Sequence, residues 1–369
     1  MLKAYFKDLF NRFIKKNIFV KTLIILFILL ELFICFICFY KVDYIIDTPG
    51  PLSEASNVIQ IDTTNNRGHI LTVAVSEYER VPLIKYWLAK GDKRLAVEKI
   101  PDDYDSKGEY YYSYYARRVS LYNAIIYAYT KAKEVNPEVN IVYTYKGALV
   151  AYVMKEAKMT IEADDVITAI EGNKFNNYDE FINIYRDIVD TKKAGDVINF
   201  DVVRIVNNEE IMLSRYATLM EDSETGKLYL GFSVFDYTVP DSENSTPKFT
   251  ISSGAYNTTG NSGGAMLALS IYNALVNEDI TSKNGSDMII AGTGTISIDG
   301  KVGAIGGIEQ KVVKAYISQV DVFFVDAVDY DDAIEACKKL GYDSSFIKKV
   351  ETFDDILTEL ARMRGEGNE

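Results

Sequence analysis

From Thr22 to Tyr40 the chain carries one charge, Glu31, and is otherwise almost wholly apolar. Nineteen such residues, in a helix, cross the hydrocarbon core of a bilayer. Lys3, Lys7, Arg12, Lys15, Lys16 and Lys21 precede the run against a single acid, Asp8, whereas Lys41, Asp43 and Asp47 follow it. Positive charge is retained on the cytoplasmic side, so the N-terminus is expected inside and everything after Tyr40 outside. A cleaved signal would have a shorter apolar core and a small-x-small cleavage site. Phe39-Tyr40-Lys41-Val42 offers none, and the run reads as an uncleaved single-pass anchor. Glu31 is costly at mid-membrane, by roughly 2.5–3.5 kcal/mol on insertion scales, and marks either helix contact or a tolerated acid.

The formal net charge of −13 disfavours nucleic acid, because an acidic surface repels phosphate. Tyr110 to Tyr115 beside Arg117 and Arg118 could stack on bases, but in so acidic a chain they read as a packing face. Cys35 and Cys38 lie within the apolar run and Cys337 stands far from both, so no disulfide framework is implied. The sole histidine, His69, leaves little room for zinc or Ser-His-Asp chemistry, and no metal or cofactor is expected.

Beyond the anchor, residues 42–139 read as an α/β region. Tyr44-Ile45-Ile46 runs into a turn at Thr48-Pro49-Gly50-Pro51. Strands are expected at Val58–Ile61 and Ile70–Val75, and helices at Pro82–Lys90 and Glu109–Val135. Residues 140–222 read as a small mixed domain. Its strands are Leu149–Val153, Asp165–Ile170, Val197–Ile205 and Ile211–Tyr216, with turns at Glu171-Gly172-Asn173 and Asn207-Asn208 and an amphipathic helix over Asp179–Ile188. Asp241 to Pro247 reads as a polar loop.

Gly147-Ala148-Leu149-Val150, the run Ile161 to Ile167 and the helix and Gly195 turn that follow resemble a bacterial PDZ domain, across about eighty residues. Asp164 stands where that family usually has glycine. The resemblance implies capture of an extended peptide on a sheet edge, at Gly147, Ala148, Leu149 and Val150.

Residues 229–362 carry the chemistry. Asn257-Thr258-Thr259-Gly260-Asn261-Ser262-Gly263-Gly264 leads into a helix over Ala265–Val276. A serine at such a junction is either a helix cap or a nucleophile with N–H groups near it. Ile289 to Ile298 reads as a strand pair broken at Gly292-Thr293-Gly294. Gly303 to Gly307 leads into a helix from about Ile308, with a buried stripe of Ile308, Val312, Ala315 and Tyr316. Lys311 borders that stripe. Lys311 is either a surface lysine whose stem lies along the stripe with its charge in water, or a partly buried one whose neutral amine can take a proton from a serine hydroxyl. Gly294 to Lys301 is spaced wrongly for a phosphate loop, so no nucleotide is expected.

Together these three elements resemble the proteolytic domain of Lon proteases. The resemblance implies Ser262 as nucleophile, Lys311 as general base and Thr293 as a partner of the lysine, with Gly260 and Asn261 in support. The family's usual Gly-Pro-Ser-Ala-Gly is here Gly260-Asn261-Ser262-Gly263-Gly264; Asn261 restores an N–H that proline lacks. The whole chain is similar to the exported, membrane-bound, PDZ-containing Lon-like proteases of Gram-positive bacteria.

The expectation is a multidomain α+β chain. A cytoplasmic basic tail (1–21) and a transmembrane helix (22–40) are followed by an extracytoplasmic α/β region (42–139), a PDZ-like domain (140–222) and a C-terminal Lon-type α/β proteolytic domain (229–362). It would be an ATP-independent serine endopeptidase of the cell membrane, acting on extracytoplasmic peptides or proteins, with homo-oligomerisation left open. The competing reading is an inactive membrane-anchored peptide-binding adaptor on the same platform.

Overall fold

The computed structural model describes residues 2–63, 69–207, 209–283 and 286–365. Asn208, expected in a turn, lies outside the described residues. The chain divides into two compact units, Met1–Thr48 with Ser76–Asp102, and Pro49–Val75 with Asp103–Glu369.

The first unit holds helices α1 (Leu2–Ile14), α2 (Ile18–Phe39) and α3 (Leu83–Lys90). Asn17 caps α2 by accepting from the Val20 N–H, and 22 residues at 1.5 Å each give a length of about 33 Å. Among the described residues α2 is the one helix long and apolar enough to cross a membrane. Tyr44 to Asp47 pair antiparallel with Ala96–Lys99, and Ile46, Val81 and Ala89 form a small core. The expected turn at Thr48-Pro49-Gly50-Pro51 is not formed. Strand Tyr44–Glu54 runs straight through it, and Gly50 lies so close to the Ala74 carbonyl that a side chain would not fit.

The second unit contains α4 (Ser106–Lys133), α5 (Tyr178–Val189), α6 (Gly264–Leu275), α7 (Ile308–Ile317), α8 (Tyr330–Leu340) and α9 (Phe353–Arg364). Its main sheet runs in the order Ile347–Val350, Val322–Asp326, Ile290–Gly292, then the part of Ile70–Glu79 that lies in this unit. These neighbours are parallel, and Ile290 faces both Ile70 and Val322. Val322 to Asp326 is buried on both faces. Phe324 packs towards α4 and α6, while Phe323 and Val325 pack towards α7 and α8. Such strands read as continuous apolar runs, because helices cover both sides.

This core is not drawn from consecutive residues. Leu121, Ile125 and Tyr129 of α4 share one cluster with Met266 and Leu269 of α6 and with Phe324, Phe353 and Ile356. The expected separation of 42–139 from 229–362 therefore does not describe the packing. Half of an apolar α/β layer cannot bury its own face, and the two stretches complete one another.

A second sheet runs Phe232–Thr246, Asn140–Val153, Val166–Ile170, Val197–Val206, Glu209–Thr218, antiparallel throughout. Its core includes Ile167, Ile198, Phe200 and, from α5, Phe181. Asn177 caps α5 through the Glu180 N–H. Asp165 is fully buried and takes a two-pronged ion pair from Arg204 at 2.6 and 2.8 Å. Asp241 to Thr246, expected as a loop, lies within the long edge strand, whose register shifts at Asp241 absorb the polar residues.

Phe353 contacts Tyr127 of α4 and Tyr272 of α6, with ring centroids 5.2 and 5.7 Å away. Phe353→Ala should cost about 3–5 kcal/mol of stability. In hydrogen exchange, protection should fall in α4 as well as in α6 and α9. A loss confined to α9 would show that the two stretches do not share a core.

Candidate active site

The Ser262 loop is fixed from three directions. Gly260, at φ +83°, turns the chain, and its N–H donates to the Ser113 carbonyl at 2.8 Å. The Ser120 hydroxyl donates to the Asn261 carbonyl at 2.9 Å. The Ser262 carbonyl accepts from the Gly294 N–H at 2.8 Å and from Thr293 Oγ1 at 3.2 Å. Gly294, at φ +147°, makes the step possible, and its own carbonyl takes the Ala265 N–H at the start of α6. Among the described residues, the N–H groups of Asn261, Ser262 and Gly263 donate to no protein group. These are the orphan donors expected just before and at a helix start.

Gly263 stands where an alanine was expected from the resemblance. A methyl there would lie 3.2 Å from Thr72 Cγ2, a tight contact. Gly264 would clash outright, with Ser120 Oγ at 2.7 Å.

Lys311 lies in the first turn of α7, which starts after Gly307 in the left-handed conformation. It is 3% exposed, deeper than the partial burial expected. Its Nζ donates to Thr293 Oγ1 at 3.2 Å. Thr293 thus bridges the lysine and the Ser262 backbone, while Ser262 Oγ makes no hydrogen bond among the described residues. Burial lowers the Lys311 pKa to about 8, and the Asp329 carboxylate offsets part of that. Asp329 is itself pushed up to about 6, by burial and by Asp326, and accepts from the Ile305 N–H at 2.8 Å. Tyr316, expected in the buried stripe of α7, is 36% exposed and stacks on Tyr342. Val313 and Gln310 are buried instead.

Ser262, Thr293 and Lys311 are therefore brought together, with Gly260 and Asn261 shaping the loop. Gly147, Ala148, Leu149 and Val150 are not on an open edge. Their strand pairs with Phe232–Thr246 on one side and Val166–Ile170 on the other, and Ala148 to Val150 are fully buried. The edge strands of that sheet are Phe232–Thr246 and Glu209–Thr218, and the free edge beside α5 is that of Phe232–Thr246. Near its start a cavity of about 330 Å³ lies between Phe181, Ile182 and Tyr185 of α5 and Leu230, Phe232 and Val234. Gly231, at φ +73° between two apolar residues, was the sequence signal for it.

Arg117 was also missed. Its Nε donates to the Ala255 carbonyl at 3.1 Å, beneath the Ser262 loop, and burial lowers its pKa. Arg118 pairs with Asp164 and lies over the rings of Tyr115 and Tyr237. His69 pairs with Asp287 at 3.5 Å. Among the described residues no cluster of three or more His, Cys, Asp or Glu side chains is placed to hold a metal.

Residues 169–362, more than half the chain, match the family described as the Lon protease (S16) C-terminal proteolytic domain. The chain belongs to that family. Over 325 residues this Lon-family chain is 22% identical to a Lon protease of Methanosphaera stadtmanae, covering 85% of itself and 36% of that protein. It spans about a third of the length of that relative. A quarter of the chain is similar to solved PDZ domains of SdrC-like proteins. For Listeria monocytogenes the identity is 26%, with 92% of that domain covered and a TM-score of 0.20. For Listeria innocua the figures are 25%, 96% and 0.20. The family match begins at Ala169, yet the Lon-family core also contains Ile70 and α4, which precede it.

The buried lysine has a measurable consequence for stability. Its pKa is about 8 folded and ordinary, about 10.5, unfolded. Between those values the unfolded chain binds more protons, so stability should rise with pH across that window and level off above it. Lys311→Met should abolish the rise. At neutral pH it should be the more stable protein, by roughly 1.4 kcal/mol per unit of depression. Urea unfolding of both proteins at a series of pH values checks this; parallel curves would mean that Lys311 is not depressed.

Proposed function

We propose that this Lon-family chain is a membrane-anchored serine endopeptidase working by a Ser262–Lys311 pair on extracytoplasmic peptides or proteins. The observation that carries the reading is a lysine, buried and lowered to about 8, joined through Thr293 to the backbone of a half-buried loop serine. Neutral Lys311 accepts the proton of Ser262 Oγ as that oxygen attacks the scissile carbonyl. The oxyanion is held by unpartnered N–H groups of the Asn261–Gly263 turn. The lysine ammonium then gives its proton to the leaving amine, and water, deprotonated by the same lysine, releases the acyl group. Thr293 keeps the Lys311 ammonium directed at the loop. Support for the anchor comes from α2, and the basic residues before it favour an exported catalytic unit, away from cytoplasmic ATP.

A serine-directed phosphonate should label Ser262, and Ser262→Ala and Lys311→Ala should each lower turnover at least about 10³-fold. Because the base must be neutral, the rate should rise with pH to a plateau above about 8. Below that it should fall about tenfold per pH unit. Absence of labelling in folded protein would favour the peptide-binding adaptor. Retained activity in Lys311→Ala would exclude the lysine base.

The groove between α5 and the free edge is proposed to dock a substrate segment as an added strand. Docking adds uniform binding, so Ile182→Glu should raise KM for a long substrate and leave kcat, and cleavage of a short generic peptide, unchanged. Equal effects on both substrates would make the groove structural.

A further inference from the structure

Helix α3 starts where α2 stops. The Leu83 N–H donates to the Tyr40 carbonyl at 2.8 Å, Lys41 bridges to Pro82, and α3 packs against α2. One side of α3 is satisfied by its own unit, through buried Ala89 and through Tyr86, whose ring lies 4.4 Å from that of Tyr44. Trp87 and Leu88 point the other way and are 51% and 72% exposed. Two large apolar side chains side by side on an eight-residue helix need a cover.

We propose that α3 lies in the outer interfacial layer of the bilayer, with Trp87 and Leu88 inserted among the lipid headgroups and upper acyl chains. The proposal rests on the reading of α2 as the membrane anchor. Trp87 is four residues beyond Leu83, about 6 Å along the helix at 1.5 Å per residue. The interfacial layer beyond the hydrocarbon core is itself roughly 5–8 Å deep on each side. A helix hydrogen-bonded to the last residue of the span therefore keeps Trp87 in or beside that layer, whatever its tilt. The chemistry around it fits lipid. Tyr40 and Tyr78 are exposed near the exit, Lys85 Nζ sits 3.1 Å above the Tyr78 ring, and Lys90 Nζ donates to Tyr86 at 3.3 Å. Aromatic rings with a polar tip, flanked by lysines, are the side chains that partition to this layer. A span followed by an interfacial helix has two attachments to the membrane within its own unit.

The test uses a fact of composition: Trp87 is the chain's only tryptophan. The full chain is reconstituted into phosphatidylcholine vesicles carrying bromine either near the top of the acyl chains or near the bilayer centre. Flotation of the vesicles is scored in parallel, and Trp87→Phe supplies the background. The expected result is emission shifted to shorter wavelength and a larger loss of fluorescence with the shallow bromine than with the deep one. If the chain floats but neither lipid quenches it, the anchor stands and the interfacial placement is overturned; a partner protein or a second copy would then be the cover. Stronger quenching by the deep bromine overturns it as well. If the chain does not float, the anchor reading itself fails and takes this inference with it.

Discussion

The carbonyl oxygen of Ser262 is where the candidate site is held together. It receives the Gly294 N–H and the Thr293 hydroxyl, and the same hydroxyl oxygen accepts from Lys311. One backbone atom thus ties a loop, a strand end and a buried cation into a fixed relation. The surrounding glycines follow from this closeness. Gly264 has no room for a methyl beside Ser120, and Gly294 adopts a backbone conformation that L side chains rarely take. The lysine has lost its water and gained one neutral hydrogen-bond partner, so its charged form is disfavoured.

Much of this was legible in the sequence, for identifiable reasons. Lys311, Thr293 and Ser262 each lie beside glycine-rich steps, and local patterns of that kind are short-range signals. Helix α5 announced itself by the Asn177 cap and apolar spacing, and α7 by its glycine start. Tyr316 was misplaced on the buried face because an aromatic at helical spacing looks like core, whereas here it stacks on Tyr342 at the surface. Long-range pairing was not legible. Strand alternation cannot tell which neighbour a strand will take, so Gly147 to Val150 looked like an open edge when strands lie on both sides of it. Thr48 to Pro51 has turn composition, yet two prolines, which have no N–H to donate, are tolerated in an extended strand at positions where the ladder needs no donor.

The core shared by α4, α6 and α9 was hidden for the same reason. Sequence reading divides a chain into consecutive pieces, and a piece inserted into another breaks the division. Asn140–Val153 and Phe232–Thr246 are the two strands at which the PDZ-like sheet leaves and re-enters the catalytic layer, and they pair with one another. The tyrosines of α4 then pack against the returning strand, Tyr112 on Phe235 and Tyr122 on Tyr237. The groove beside α5 and the Ser262 loop are thereby joined through one continuous set of packed elements.

Interleaving has a consequence for biogenesis. Ile70 has no parallel neighbour until Ile290 has been made, and the apolar side of α4 stays uncovered until Phe353 arrives from the last helix. A chain delivered from its N-terminus therefore emerges with its catalytic half unfinished, and contacts between such distant residues form slowly. The Ser262 loop, carried at the start of α6, gains its full supporting core only after α9 has been made. Completion of synthesis thus acts as a clock for the shared core, which stays unassembled while its last helix is still missing.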